Sequence, residues 1–295
     1  MNYRKGIWFG VAAYVLWGLT PLYWNLVPAP PAVLVASRIV WALPVLAVVI
    51  TFRKEWRSVA HRYSGWQPVV ATVTAASLLL VNWSVFLWAV TNSHIVEVSL
   101  GYFILPLVSV ALGVVILKER LRPLQWIAVG IAVLAVARLG FAAGVPPWIA
   151  LVVAFSFGLY GLLKKHAVTP PPLISLFGET STMFLPAVVA IIFFINPGRE
   201  GLGSSPGATL FLVSAGLASV TPLLLFGASV KRIPLSMLGF LQYIAPSLQL
   251  LIGVFVFNEA MTSIELQGFI GVWLALAIFT YDVISNTRRE RLAVA

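Results

Sequence analysis

The chain has 295 residues, of which 60% are hydrophobic and 9% are charged. A soluble domain of this size could not cover so much apolar surface, so the composition indicates an integral membrane protein. The absence of cysteine excludes disulfides, thiol catalysis and thiolate metal sites. The net charge of +10 does not indicate nucleic-acid binding, because the basic residues lie in short loops between apolar runs.

Ten apolar runs are long enough to cross a bilayer and leave no room for a soluble domain. They are predicted at about 7–26, 32–52, 67–91, 95–117, 122–141, 146–163, 172–195, 208–230, 233–257 and 262–284. The two longest connections, 53–66 and 196–207, carry no catalytic motif. A signal peptide is an alternative for the first run, because Arg4 and Lys5 precede it, but this run has a repeat partner in the sixth and is predicted to be a helix.

The basic residues predict the orientation of the chain in the membrane. The amino terminus, the loops after alternate runs and the carboxyl tail hold 16 of the 19 Lys and Arg residues. Basic loops stay on the cytoplasmic side of a membrane, so both termini are predicted to be cytoplasmic.

The second half of the chain repeats the first at a displacement of 140 residues. Pro106, Gly113 and Glu119 recur as Pro246, Gly253 and Glu259, and the same displacement pairs Trp17 with Phe157 and Phe86 with Phe226. The repeat covers five runs, an odd number, so the two halves must be inverted relative to each other. The predicted fold is an all-α integral membrane protein with ten transmembrane helices in two inverted five-helix repeats, 1–143 and 144–295, around a central cavity.

The fourth and ninth runs each carry a stripe of small, polar and proline residues on one helix face. The stripes are Ser99, Tyr102, Pro106, Ser109, Gly113 and Gly239, Gln242, Pro246, Gln249, Gly253. Proline removes one backbone donor, so Pro106 and Pro246 are predicted helix kinks that free the carbonyls of Tyr102 and Gln242. Freed backbone at membrane depth requires protein or water around it, so the stripes are predicted to face each other across the cavity. A kink that only improves packing is the alternative.

Aromatic and amide residues inside the runs are predicted to line a substrate pocket that mixes aromatic surface with a few polar anchors. The predicted substrate-binding residues are Tyr14, Trp17, Asn82, Phe86, Tyr102, Tyr160, Gln242 and Tyr243. For any one of them, ordinary helix packing is the alternative.

Arg38 and Glu179 are charges about seven residues inside the second helix of each half. A charge in hydrocarbon costs roughly 2.5–3.5 kcal/mol, so both are predicted to face protein or water as gating or coupling residues. Arg38 could instead contact a substrate carboxylate, and Glu179 could respond to protons. The alternative is that each side chain snorkels to its nearer interface.

Two further pairs of polar residues have structural interpretations. His94 and Glu97 have the spacing of a metal pair, but no other His, Cys or acidic ligand accompanies them, so no metal site or cofactor is predicted. Glu119 and Glu259 end their helices, where a carboxylate is unfavourable unless it is paired, so both are predicted to bond to neighbouring loops.

Several segments together resemble the EamA-type drug/metabolite transporter superfamily and, within it, the RarD-like permeases. They are AAYVLWGLTPLYW, RIVW, NWSVFLWAVTNSHIVEVSLGYFILPLV, LKERL, AFSFGLYGLLKK and LGFLQYIAP. The resemblance covers nearly the whole chain and implies ten helices in two inverted halves, with relatives that export amino acids, other metabolites or toxic compounds. The first helix lacks the membrane-embedded glutamate of the smallest multidrug exporters, so their proton-exchange mechanism is not carried over.

The predicted function is therefore that of a secondary transporter, an exporter of small amphipathic metabolites or drug-like compounds in a bacterial inner membrane. Its predicted partners are a small-molecule substrate and the lipid bilayer, without nucleic acid; the oligomeric state is open, and a monomer is compatible with the sequence. The alternative is an intramembrane enzyme or receptor. An enzyme is not predicted, because His61, His94 and His166 lie in loops or near run ends and no nucleophile with a base is recognisable.

Overall fold

The computed structural model describes residues 3–26, 30–92, 94–144, 148–165, 170–194, 206–258 and 261–294. These residues form helices and connecting turns, without a strand. The helices are α1 (Tyr3–Gly18), α2 (Thr20–Trp24), α3 (Pro31–Phe52), α4 (Trp56–Arg62), α5 (Trp66–Thr91), α6 (Ile95–Val115), α7 (Pro123–Ala143), α8 (Trp148–Lys165), α9 (Pro172–Phe194), α10 (Pro206–Val230), α11 (Leu235–Gln242), α12 (Ile244–Phe255) and α13 (Ser263–Val294).

Within the described ranges, ten helical segments are long and apolar enough to cross a membrane. They are α1 with α2, α3, α5, α6, α7, α8, α9, α10, α11 with α12, and α13, and they coincide with the ten predicted runs to within a few residues. The prediction of an all-α membrane protein is confirmed. Two features differ from it: the short helix α4 lies in the 53–66 connection, and α13 continues past its apolar part into the basic tail.

The first span is interrupted at Leu19, between α1 and α2. Pro21 has no N–H, so the carbonyl of Trp17 loses its usual helical partner. Thr20 Oγ1 donates to this carbonyl at 2.6 Å, and Gln249 Nε2 from α12 donates to it at 3.2 Å. A proline-freed carbonyl therefore ties the first span to the ninth.

The two predicted proline kinks differ. The ninth span divides at Tyr243, three residues before Pro246, where the Tyr243 N–H turns to the carbonyl of Phe240 at 3.2 Å. In contrast, α6 runs unbroken through Pro106. This helix makes extensive contacts with both α8 and α11, and these contacts support it despite the missing hydrogen bond.

The pattern of helix contacts is nearly unchanged when each helix is replaced by its equivalent in the other half of the chain. Three pairs join equivalent helices: α3 with α9, α6 with α11, and α7 with α13. Each of the remaining large contacts has a counterpart between the equivalent helices. The α6–α8 contact corresponds to α1–α12, the α1–α10 contact to α5–α8, and the α3–α10 contact to α5–α9. Two structurally equivalent halves would produce this pattern, and the division at residues 143 and 144 stays a prediction.

With ten spans, both chain termini lie at the same end of the bundle, which we name the terminus side; the other end is the opposite side. The carboxyl ends of α3, α6, α8 and α10 lie on the terminus side, and those of α5, α7 and α12 lie on the opposite side. Small residues allow close approach between spans: a Cβ added to Gly216 would collide with the Trp41 backbone, which brings α10 against α3.

Candidate functional site

The crossing of α6 and α11 is tightly closed toward the terminus side. A Cβ on Gly239 would lie 2.7 Å from the carbonyl oxygen of Pro106, so the two backbones touch where their stripes meet. Ser109 Oγ donates to Gln242 Oε1 at 3.1 Å across the same contact, and both residues are buried. The two stripes therefore face each other as predicted, but here they are in direct contact.

Glu119 closes the terminus-side end of this crossing. Its Oε1 accepts from the Leu235 N–H at 2.6 Å, and its Oε2 accepts from the Ser236 N–H at 2.8 Å and the Ser236 hydroxyl at 2.6 Å. The free N–H groups and dipole of a helix N-terminus favour a carboxylate at this position. Glu119 thus bonds to a neighbouring segment as predicted, whereas its repeat partner Glu259 lies outside the described residues.

Toward the opposite side the same two spans separate around a cavity of about 470 Å³. Its walls come from α6, α12, the end of α7 and the start of α13, and include Ser99, Tyr102, Phe103, Leu139, Pro246, Gln249, Leu250, Thr262, Glu265 and Phe269. The sequence predicted a cavity along both whole stripes. The structure corrects this prediction, because Gly239 and Gly113 let the terminus-side halves of the two spans pack in direct contact.

An aromatic cluster joins α1, α8 and α10 in the centre of the bundle. Trp17 lies 5.8 Å from Phe157, Phe157 lies 5.3 Å from Phe226, and Tyr160 stacks on Phe226 with ring centroids 5.8 Å apart. The buried Tyr14 hydroxyl beside them has no hydrogen-bond partner among the described residues. Phe157 and Phe226 were not predicted as site residues, although the 140-residue repeat had paired them with Trp17 and Phe86.

Arg38 is held in α3 by neutral groups from three neighbouring elements. Its Nε donates to Ser219 Oγ of α10 at 2.8 Å. The guanidinium carbon lies 4.9 Å from the ring centroid of Trp83 in α5 and 5.5 Å from that of Trp24 in α2. These distances suit cation–π contacts. Arg38 therefore points into protein, as predicted, rather than into lipid.

Glu179 is fully buried in α9 and is neutralised by an ion pair. Its Oε1 lies 2.6 Å from Lys164 Nζ of α8 and accepts from Ser175 Oγ at 2.6 Å, while its Oε2 accepts from the Tyr160 hydroxyl at 3.0 Å. This network excludes snorkelling for Glu179. Lys164 lies just beyond the predicted run 146–163, among the basic residues from which the orientation is predicted.

His94 and Glu97 form a pair on the opposite side, with Nδ1 and Oε1 2.9 Å apart. The His94 ring also stacks on Trp88 at 5.2 Å. Among the described residues no group of three or more potential ligands could hold a metal ion. The pair therefore acts as a local contact at the start of α6.

The sequence of this chain is similar to those of known membrane proteins. The profile described as the EamA-like transporter family matches residues 4–141. "Protein RarD" of Streptomyces exfoliatus is 43% identical over 98% of this chain and 92% of its own length. "Uncharacterized transporter YojE" of Bacillus subtilis is 39% identical over 98% of this chain and 97% of its own length. The chain belongs to the EamA-like transporter family. Its relatives place it with the RarD-like permeases, as the sequence predicted.

A solved structure shares the fold of this chain. A protein of known crystal structure superposes with a TM-score of 0.73 over 94% of this chain and 97% of its own, at 19% identity. This level of identity shows the fold alone. The ten spans and the transporter family together identify a multi-pass membrane transporter.

The remaining predicted site residues of this EamA-like transporter occupy two kinds of position. Tyr102 lines the cavity and meets Phe86 edge to face at 6.3 Å. Asn82 donates to the Val153 carbonyl at 2.9 Å and to a neighbouring hydroxyl, which fastens α5 to α8, and the Tyr243 hydroxyl donates to the Phe103 carbonyl at 3.3 Å. Their roles in substrate binding stay predictions.

Proposed function

We propose that this EamA-like transporter exports small amphipathic metabolites, such as amino acids, or drug-like compounds, by alternating access across a bacterial inner membrane. The distribution of Lys and Arg supports an orientation with both termini in the cytoplasm. In that orientation the terminus side is cytoplasmic, and the cavity between α6 and α12 opens toward the exterior.

One observation carries this proposal: the same pair of spans is sealed at one end and separated at the other. Glu119 and the contact between Gly239 and Pro106 seal α6 against α11, while a cavity of about 470 Å³ divides α6 from α12. This arrangement supports one end state of an alternating-access cycle, in which rocking of one half against the other exposes a site near the midplane to each side in turn. The cavity is of a size that holds a small solute.

Solute flux in proteoliposomes tests the proposal. The purified chain would be reconstituted and loaded with a panel of labelled amino acids, small aromatic acids and drug-like amphipathic compounds. We expect saturable, protein-dependent movement of at least one solute class. Absence of flux for the whole panel, with the protein folded and inserted in the membrane, would contradict the proposal that it is a transporter of such solutes.

A matched pair of variants links flux to the cavity. Tyr102→Ala removes a side chain from the cavity wall, whereas Trp126→Ala changes an exposed aromatic on α7 away from it. We expect Tyr102→Ala to slow flux at normal protein level and Trp126→Ala to leave flux unchanged. Equal flux in both variants would dissociate the cavity from transport.

A further inference from the structure

No carboxylate of a described residue balances the positive charge that Arg38 carries inside a span. In the part of the chain that the structure describes, the ion pairs join Arg53 to Glu55, His94 to Glu97, Arg122 to Asp282 and Lys164 to Glu179. Arg38 belongs to none of them. Charged side chains within membrane spans are costly and mark pathways for substrates or ions.

The hydrogen-bonding capacity of Arg38 is largely unused. A guanidinium has five N–H donors in a planar fork, and one of them, on Nε, is directed to Ser219. No described residue accepts from its two terminal nitrogens. The side chain contacts Trp24, Trp83 and Ser219 and is half-buried, so these neighbours leave part of its surface accessible.

A second unused donor lies next to Arg38 on the same helix face. Trp41 follows Arg38 by three residues in α3, a spacing that places both on one side of the helix. The buried Trp41 Nε1 has no hydrogen-bond partner among the described residues, and neither has the buried hydroxyl of Ser37. Unsatisfied buried polar atoms are rare in proteins, and each requires an explanation.

The described walls of the cavity do not include Arg38, Trp41 or Ser37, but one wall residue interacts with Arg38. The Tyr102 side chain, which lines the cavity, lies within electrostatic range of the Arg38 guanidinium. A solute that extends from Tyr102 to Arg38 would have its apolar part against the aromatic rings of Trp24 and Trp83. Such a solute needs acceptors and a negative charge where it meets α3.

We infer that Arg38 forms a subsite for the carboxylate of the transported solute, flanked by the Trp24 and Trp83 rings and completed by the Trp41 indole N–H. A carboxylate matches the guanidinium fork with two parallel hydrogen bonds. The two rings exclude water from the pair, which strengthens it. The inference rests on the proposed transport function and assigns its substrate class as small carboxylates with an apolar or aromatic body.

Binding to the purified full chain in detergent tests this subsite. The probes are matched acids and amides: acetate and acetamide, phenylacetate and phenylacetamide, indole-3-acetate and indole-3-acetamide, and L-phenylalanine and L-phenylalaninamide. Titration calorimetry at pH 7 should show at least one acid binding about tenfold or more tightly than its amide. If no acid in the panel binds more tightly than its amide, the inference is overturned.

Substitutions at Arg38 assign any acid preference to this residue. Arg38→Gln should abolish the preference while leaving amide affinity within about twofold, because only the charge-assisted bonds are lost. Arg138→Gln is the matched control: this arginine lies in α7, is exposed, bonds to Gln267 and should not matter. A preference that survives Arg38→Gln overturns the inference.

Arg38→Lys covers the case in which Arg38→Gln does not fold. Lysine keeps the charge but not the planar fork, so acid affinity should fall severalfold; wild-type affinity in this variant would reject recognition by the fork. Flux then separates the two proposals. Arg38-dependent acid binding without flux would support the subsite and contradict the proposed transport function. Equal flux of acids and amides would support transport and contradict the subsite.

Discussion

Two charges inside the bundle differ in their partners: Glu179, on the terminus side, has an ion-pair partner, whereas Arg38, on the opposite side, has none among the described residues. Lys164 follows Trp24 by 140 residues and Glu179 follows Arg38 by 141, so the two contacts occupy equivalent places in the repeat. On the terminus side this place holds a buried ion pair at 2.6 Å. On the opposite side it holds a cation 5.5 Å from an aromatic ring.

This difference coincides with the state of each end of the bundle. The terminus side is sealed, because Glu119 bonds to the start of α11 and Gly239 meets Pro106. The opposite side is open and contains the cavity. Buried charges that have partners within the protein fix one arrangement of helices, while a charge with unused donors is available for a ligand.

The largest expected effect is on the stability of the terminus-side half. Lys164→Met leaves the carboxylate of Glu179, which is 0% exposed, without its cation. Removing one partner of a buried pair costs about 3–5 kcal/mol, so the free energy of unfolding in detergent should fall by that amount. Circular dichroism during titration with a denaturing detergent measures it.

The double variant Lys164→Met with Glu179→Gln is the control. Because it removes both charges, it should recover most of the lost stability. A loss below about 1 kcal/mol for Lys164→Met alone would mean that the pair is solvated, and the contrast between the two sides would disappear.

A smaller effect is expected at the seal. Glu119→Ala removes three hydrogen bonds to a helix N-terminus, which should favour opening of the terminus side by about 2 kcal/mol. The chain has no cysteine, so a single Ser109→Cys probe can report access. Its labelling rate from the terminus side should rise about thirtyfold in the Glu119→Ala background.

Labelling of Ser99→Cys, in the cavity wall, measures access from the opposite side of the bundle. If the two ends alternate, Glu119→Ala should slow this labelling while it accelerates labelling of Ser109→Cys. An increase at both positions would indicate general loosening rather than exchange of one open end for the other.

Arg38→Gln should have little effect on stability. The substitution loses one hydrogen bond to Ser219 and two cation–π contacts, but it also removes the cost of a charge at membrane depth, roughly 2.5–3.5 kcal/mol. These terms oppose each other, so the free energy of unfolding should change by less than about 1 kcal/mol. A loss equal to that of Lys164→Met would make Arg38 a structural residue.

The smallest expected effect is on the pH dependence of stability, through Lys231 near the Lys164–Glu179 ion pair. Burial, with the charges of Lys164 and Lys165, lowers the pKa of Lys231 to about 8 from its usual 10.5. Between these values the unfolded chain binds more protons than the folded one, so stability should rise as the pH increases from about 8 to 10. Melting temperature against pH measures this rise, and Lys231→Gln should flatten it. An unchanged slope in that variant would assign the rise to another group.

Much of the architecture could be predicted from the sequence because membrane spans and repeats leave local signals. The meeting of Pro106 with Gly239 follows from two stripes at matched spacing, and the ten spans follow from hydropathy. The break at Leu19 was missed although Pro21 is visible. Proline interrupts some membrane helices and not others, and here the outcome depends on whether a side chain such as Gln249 satisfies the freed carbonyl.

The surroundings of the two charges could not be predicted, because they depend on tertiary packing. Lys164 looked like a loop residue, yet the end of α8 carries it beside Glu179. Trp24 and Trp83 come from different helices and meet at Arg38 only in the folded bundle. Spacing along one helix identifies a face, but the neighbours of that face are set by how the helices cross.

Counterflow of a labelled solute in proteoliposomes, with the cavity reversibly cross-linked, tests alternating access most directly. Cysteines placed at Ser99 and Gln249, on the α6 and α12 walls of the cavity, would be joined by a rigid, cleavable bifunctional thiol reagent that holds the two walls at their separation in the open state. We predict that counterflow stops on cross-linking and returns when the linker is cleaved, because the two spans must approach each other for the opposite side to close. Counterflow that continues at its original rate with the cavity cross-linked would contradict this account.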